Sequence, residues 1–299
     1  MIILTATDSN PEVRNTIMTV LEGQSVPFVT DAPALDFCLC NFECEYEAPV
    51  FGIDKQGGID TSSVVFKKQI PTDSIVWSLL KDGVNIATLN NNALGTYHPT
   101  FESQPEQLGF ILNWNTVLGV HGIGIYQIQA VRNQLGAVTT TLSYKFDLMP
   151  FTEELADSTV KIDTYQNGNI KSSPIDYTGM NWLQSIRIRG TFGDKQPKLE
   201  INNFKSSTYE KQQIRDVVTN EYTLTTQLLI ADVANKLIYD CLLGNKVLVS
   251  DYRLFNQEIY RNIPLVWTGI EANHKQDNTK STFNFIFEDR TDNNIKTNY

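Results

Sequence analysis

Trp182-Leu-Gln-Ser-Ile-Arg-Ile-Arg-Gly190 reads as a β-strand. Ile186 and Ile188 alternate with Arg187 and Arg189, so the two arginines share one face. The reading directs that face outward. Around this strand, Asp176 to Asp289 carries further strand-like runs, among them Lys246-Val-Leu-Val-Ser-Asp-Tyr-Arg253 and the Phe-alternating run from Phe283 to Phe287. One amphipathic helix interrupts them, predicted from about Thr226 to Leu243. Ile230, Val233, Ala234, Leu237, Ile238, Cys241 and Leu242 form one apolar stripe on it, and Gly244 is placed to end it. Such a stripe packs on a sheet or, alternatively, binds a partner.

The preceding half has the same texture with shorter runs. Val64/Phe66, Ile75/Trp77/Leu79 and Phe110/Leu112/Trp114 each put apolar groups on one strand face. Leu142, Tyr144, Phe146 and Leu148 alternate with Ser143, Lys145 and Asp147, a half-buried strand. Lys81-Asp82-Gly83-Val84 is a hairpin turn, and Asn90-Asn91-Asn92 and Gln134-Leu135-Gly136 are loops. The expected fold class is therefore all-β in the main, as two β domains. Residues 1–35 form an N-terminal arm, read as strand although Ser9-Asn-Pro-Glu-Val13 would also cap a helix. Residues 36–150 form a β-sandwich. Residues 151–289 form a β-sheet or partial barrel braced by the one helix, opened by a short helical turn or linker at 152–157. Residues 290–299 form an extended tail.

At 299 residues with 19% charged side chains, the chain is less charged than typical soluble domains. Its net charge of −10 argues against general nucleic-acid binding, which needs clustered Lys and Arg. Lys67-Lys68 and Arg187/Arg189 are its strongest basic features. No signal peptide or 18-residue apolar window is visible, so cytoplasmic synthesis, free thiols and no membrane partner are expected. Cys38, Cys40 and Cys44 share parity as one strand face; their spacing fits a zinc site badly. No metal or cofactor is expected.

The sequence contains no G-x-S-x-G nucleophile elbow and no H-E-x-x-H metalloprotease motif. His121 lies between Val120 and Gly122 in Val120-His-Gly-Ile-Gly124, whose glycines lead into a strand, so the segment is a turn. Glu153-Glu154 and Glu43/Glu45/Glu47 would be the carboxylates of a glycosidase, but the trio alternates as one wet strand face. The chain is therefore expected not to be an enzyme. Arg187 and Arg189 are the candidate interface residues. Two arginines on one strand face suit bidentate pairing to carboxylates of a neighbour, or cross-strand pairing within the sheet.

Two resemblances sharpen these expectations. Trp77 with the turn Lys81-Asp82-Gly83 looks like the core tryptophan strand of an immunoglobulin-like sandwich. Gly124-Ile-Tyr-Gln-Ile-Gln-Ala130 looks like its tyrosine-corner strand, with Tyr126 as the corner. Val64 and Ile128 would stand where antibody domains carry their disulfide. Any antiparallel sandwich with buried aromatics is the plainer alternative. The order of motifs over the C-terminal half resembles the ring or tail-type structural proteins of tailed bacteriophages that infect Bacteroidetes, the crAss-like group among them. That resemblance implies a virion protein, made in the host cytoplasm, that forms a homo-oligomeric ring in the neck or tail and bridges neighbouring rings. Its partners would be itself and adjacent neck or tail proteins. The runner-up is a receptor- or glycan-binding distal tail adaptor, with Tyr97, Trp114, Trp182 or Trp267 exposed to stack on sugars.

Overall fold

The computed structural model describes residues 47–52, 59–68, 71–168, 175–205, 211–230, 233–234, 237–242, 244, 246–251, 262–273, 280–290 and 293–295. The N-terminal arm, Cys38, Cys40, Cys44, Glu43, Glu45 and His274 lie outside these residues, as does the side chain of Cys241. The fold is mainly β, as the alternating runs predict. Among the described residues no helix is long and apolar enough to cross a membrane, which says nothing of membrane β-barrels.

The first half is a sandwich. One sheet joins β1 (Glu47–Phe51), β9 (Lys145–Met149), β7 (Gly124–Gln134), β3 (Ser74–Lys81) and β4 (Val84–Thr88) in that order, with β8 (Ala137–Leu142) on β7. The facing sheet joins β2 (Thr61–Lys67), β6 (Gln107–Asn113) and β5 (Gly95–His98). β1 runs parallel to β9; the other pairs are antiparallel. The β3–β4 hairpin turns through Asp82 and Gly83 with φ of 50° and 78°, the left-handed pair that a two-residue turn demands. Trp77 is fully buried on β3. The Tyr126 hydroxyl donates to the Gly122 carbonyl at 2.7 Å, the hydrogen bond of a tyrosine corner. Val64 and Ile128 lie buried in the same core.

Two elements depart from the sequence reading. Trp114 does not continue the β6 face; it opens helix α1 (Trp114–His121). The Asn113 side chain caps this helix by accepting from Thr116 N, and Trp114 Nε1 donates to Ser62 Oγ at 2.9 Å. Gly122, at φ 76°, ends it. The run from Leu142 to Leu148 breaks at Ser143. There the backbone pairs with Ile128, and the hydroxyl both accepts from Ile128 N and donates to Tyr144 O. Leu142 is exposed in consequence, while Tyr144, Phe146 and Leu148 are buried.

A short helix α2 (Glu153–Asp157), capped by Thr152, leads into the second half. There β10 (Thr159–Gln166), β11 (Trp182–Lys205), β12 (Lys211–Thr226), β16 (Lys280–Asp289), β15 (Ile263–Asn273) and β14 (Lys246–Asp251) pair antiparallel in turn, and β14 pairs again with β10. The sheet closes completely where Glu221–Thr225 meet Asn284–Glu288. β13 (Leu229–Ile230) flanks β16. β17 (Asn293–Ile295), inside the expected extended tail, pairs with β12.

The brace differs from the predicted single helix. Thr226 ends β12, its hydroxyl accepting from Phe283 N at 3.0 Å, so this β-branched stretch stays in the ladder. Helical turns occupy Val233–Ala234 and Leu237–Leu242, the latter wound as a π-helix. Val233, Ala234, Leu237 and Leu242 are buried in the core that the barrel strands share. The stripe is therefore core, not a partner-binding face. Leu237→Ala is expected to cost about 2–5 kcal/mol, a large part of a total of roughly 5–15 kcal/mol. A urea melt of the purified variant reads it directly, and an unchanged midpoint would refute the packing.

A buried ion network and an aromatic seam between the two halves

The outer face of the three-stranded sheet is covered by the second half. Val65 on that face is fully buried with Phe101, Ile175, Tyr177 and Trp182. Gly109 permits the approach: a Cβ there would lie 2.8 Å from Trp182 Cη2 and 3.0 Å from both Phe101 Cζ and the Val64 carbonyl. His98 stacks on Phe101 at 5.1 Å and meets Trp182 edge-on at 5.9 Å. Lys68 N donates to Glu106 O, and Gln107 Nε2 donates to Asp176 O at 3.0 Å.

Beside this seam lies the one dense charge cluster shared by both halves among the described residues. Asp60, just before β2, accepts from Arg187 Nε at 2.7 Å and from the second guanidinium nitrogen at 2.9 Å. Phe51 N also donates to it at 2.9 Å. Lys161 Nζ stands 3.7 Å from Asp60 and 3.4 Å from Asp163, and donates to Ile59 O. Arg187 also donates to Thr159 Oγ1 and lies over the Phe51 ring. Ser185 Oγ donates to Asp163 and accepts from Thr61 Oγ1. Two cations thus face two carboxylates. The Arg187 side chain is 1% exposed and that of Asp60 6%. Burial pushes the Asp60 carboxyl up, but the Arg187 charge and hydrogen bonds, with Lys161 and Phe51 N–H, hold it below its ordinary value.

The expectation that Arg187 points outward is therefore corrected. It does lie on the outer wall of the barrel, but the sandwich covers that wall and supplies its carboxylate. Arg189, on the same face, reaches Asp147 of β9 at 3.8 Å in a half-exposed pair. Burial raises the Asp147 carboxyl, the Arg189 charge pulls against it, and Glu47 adds to the rise. Both arginines meet carboxylates, as their spacing suggested, but within one chain.

Asp60, Lys161 and Asp163 escaped the sequence reading. A signal existed: in Thr159-Val-Lys-Ile-Asp163 the charges alternate with Val160 and Ile162, and Lys161 lies directly opposite Arg187 in the register. The cavity beside the cluster has a volume of about 10 Å³, at the lower limit for a single water. The cluster holds charge and joins two walls; its cavity does not admit a substrate.

The other singled-out groups stand apart. His121 ends α1, and its carbonyl accepts from Lys81 Nζ. Glu153 and Glu154 sit exposed in the first turn of α2. Trp77, Trp114 and Trp182 are 0%, 0% and 2% exposed, which corrects the expectation of open tryptophans at 114 and 182. Only Tyr97 and Trp267 keep partial exposure, on strands of different halves. Among the described residues no three His, Cys, Asp or Glu side chains cluster to hold a metal. No protein-family model matches the chain, and no curated protein is similar to it.

Two outcomes test this joint. Asp60→Asn leaves Arg187 buried without its counter-charge and is expected to cost about 3–5 kcal/mol in a urea melt. The double variant Asp60→Leu/Arg187→Met removes both charges and should regain more than half of that loss. Two equal losses would show that packing, not charge, fastens the site. His98 gives a pH signature. Burial lowers its pKa, so the unfolded chain takes up the proton first. Its contribution to stability is whole above a pH of about 6.5 and is lost as pH falls below that value. His98→Phe should therefore flatten the fall in melting temperature between about pH 6.5 and 5. A fall identical to the parent's would show that His98 does not contribute.

Proposed function

We propose that this chain is a structural subunit of a tailed-bacteriophage virion, made in the host cytoplasm, that assembles with copies of itself into a ring of the neck or tail and bridges to neighbouring rings. The observation that carries the reading is the joint between the halves. A β-sandwich and a closed β-barrel are fastened by a buried, charge-balanced network whose cavity has the volume of about one water. Such a unit offers its neighbours shape and surface. Low charge density fits a subunit whose surface is occupied by partners, since interface cores are depleted in charge. The resemblance of the C-terminal half to ring and tail proteins supplies the setting. Closed rings arise when a heterologous contact repeats with a rotation that closes.

The glycan-binding adaptor loses weight on the burial of Trp114 and Trp182, two of the four aromatics it would use, while Tyr97 and Trp267 keep partial exposure on strands of different halves and form no common platform. The test is native mass spectrometry with electron microscopy of the purified chain. Closed homo-oligomers are expected at ~10 μM and above, well past the dissociation constants of stable assemblies. A lasting monomer that also fails to enter particles would refute the reading.

A further inference from the structure

β11 and β12 run well past the barrel. From Gln196 to Lys205 β11 pairs only with β12, and among the described residues no strand pairs with its other edge. Ten residues of strand reach about 30 Å. β12 leaves the barrel wall at Glu221, the last residue it pairs with β16. The two strands therefore form a two-stranded arm. Every strand of the closed barrel has a neighbour on each side, and among the described residues the arm carries the longest stretch of edge with no partner strand, ahead of β15 beyond Leu265.

That edge has a pattern. Near the barrel it is blunted by Lys195, Pro197, Lys198 and a bulge between Gly193 and Gln196, devices that discourage strand addition. Beyond them, Leu199-Glu-Ile-Asn-Asn-Phe204 contains neither proline nor lysine. The opposite edge already accepts a strand, since β17 pairs there from Asp216 to Val218. Charge adds a second argument. Residues 194–221 hold five basic and five acidic side chains, so the whole net charge of −10 rests on the remainder of the chain. Copies repel one another through their bodies; a neutral arm approaches a neighbour without that cost.

We infer that this arm is the assembly joint: the distal edge of β11, from Leu199 to Phe204, adds by main-chain hydrogen bonds to a strand of a second copy of this chain. The inference rests on the assembly reading above and names the element that performs it.

The test shortens the arm. Lys198 and Thr219 are register partners, so an Asn-Gly turn replacing Leu199–Val218 closes the hairpin at its root. The deletion removes three basic and three acidic residues and leaves the net charge unchanged. Lys198 and its ion pair with Glu288 remain. Sedimentation equilibrium compares the full chain with this variant, and circular dichroism and melting check the barrel. The variant is expected to keep its melt and to lose self-association by about 100-fold or more, the scale of a lost hot spot. Equal assembly of both chains would overturn the inference and leave the assembly reading intact. A full chain that stays monomeric would overturn both. Should the shortened chain fail to fold, hydrogen exchange on the full chain decides: amides 199–204 must gain protection on assembly, and amides protected to the same degree in the monomer refute the joint.

Discussion

Lys161 and Arg187 face each other across adjacent strands of the barrel wall. Like charges in that position repel, and the wall is buried, so water cannot screen them. Asp60, from the other half of the chain, sits between them and accepts from Arg187 with both oxygens. The barrel wall is therefore electrostatically complete only when the sandwich is docked. This constraint explains why the loop before β2 is held so closely: Phe51 N donates to the same carboxylate. It also explains the position of β1, whose end carries the Phe51 ring beneath the guanidinium.

Docking changes the character of the three-stranded sheet. An antiparallel sheet usually has one wet face and shows it by alternation. β2 is instead buried continuously from Ser62 to Phe66, because Val64 and Phe66 enter the sandwich core while Val65 enters the seam. Gly109, opposite Val65 on β6, lets Trp182 lie against the sheet. The middle layer thus serves two cores.

What sequence could and could not reveal follows from the range of each interaction. Tyr126 and its corner are local: donor and acceptor are four residues apart, and both were legible. The Asp82-Gly83 turn is legible for the same reason. Trp114 misled because an apolar residue in phase with Phe110 and Leu112 continues a strand pattern equally well; the Asn113 cap, with its partner Thr116, is the local signal that overrides the phase. The predicted helix start misled in the opposite way, since Thr226 still belongs to β12 and Ile230, the first residue of the apolar stripe, still pairs with β16 through β13. Barrel closure joins residues near 223 to residues near 286, and no local pattern announces it. Arg187 was the hardest case. Parity correctly put it on one face with Arg189, but only the approach of Asp60, 127 residues away, turns that face from surface into interior.

The joint uses charge where an apolar seam of the same size would cost less to bury. Replacing a buried pair by hydrophobic side chains is often neutral or stabilising, so stability alone does not account for the pair. An apolar surface such as that formed by Val65, Phe101 and Trp182 is non-directional and tolerates small rotations. A bidentate guanidinium–carboxylate contact is planar and does not. Pinning Asp60 to Arg187 therefore fixes the angle between sandwich and barrel more sharply than area does. In the proposed ring that angle has a collective consequence. Closure requires one rotation repeated by every subunit, and play within each copy accumulates around the circle. A rigid joint inside the subunit leaves the rotation to be set by the contact between copies alone.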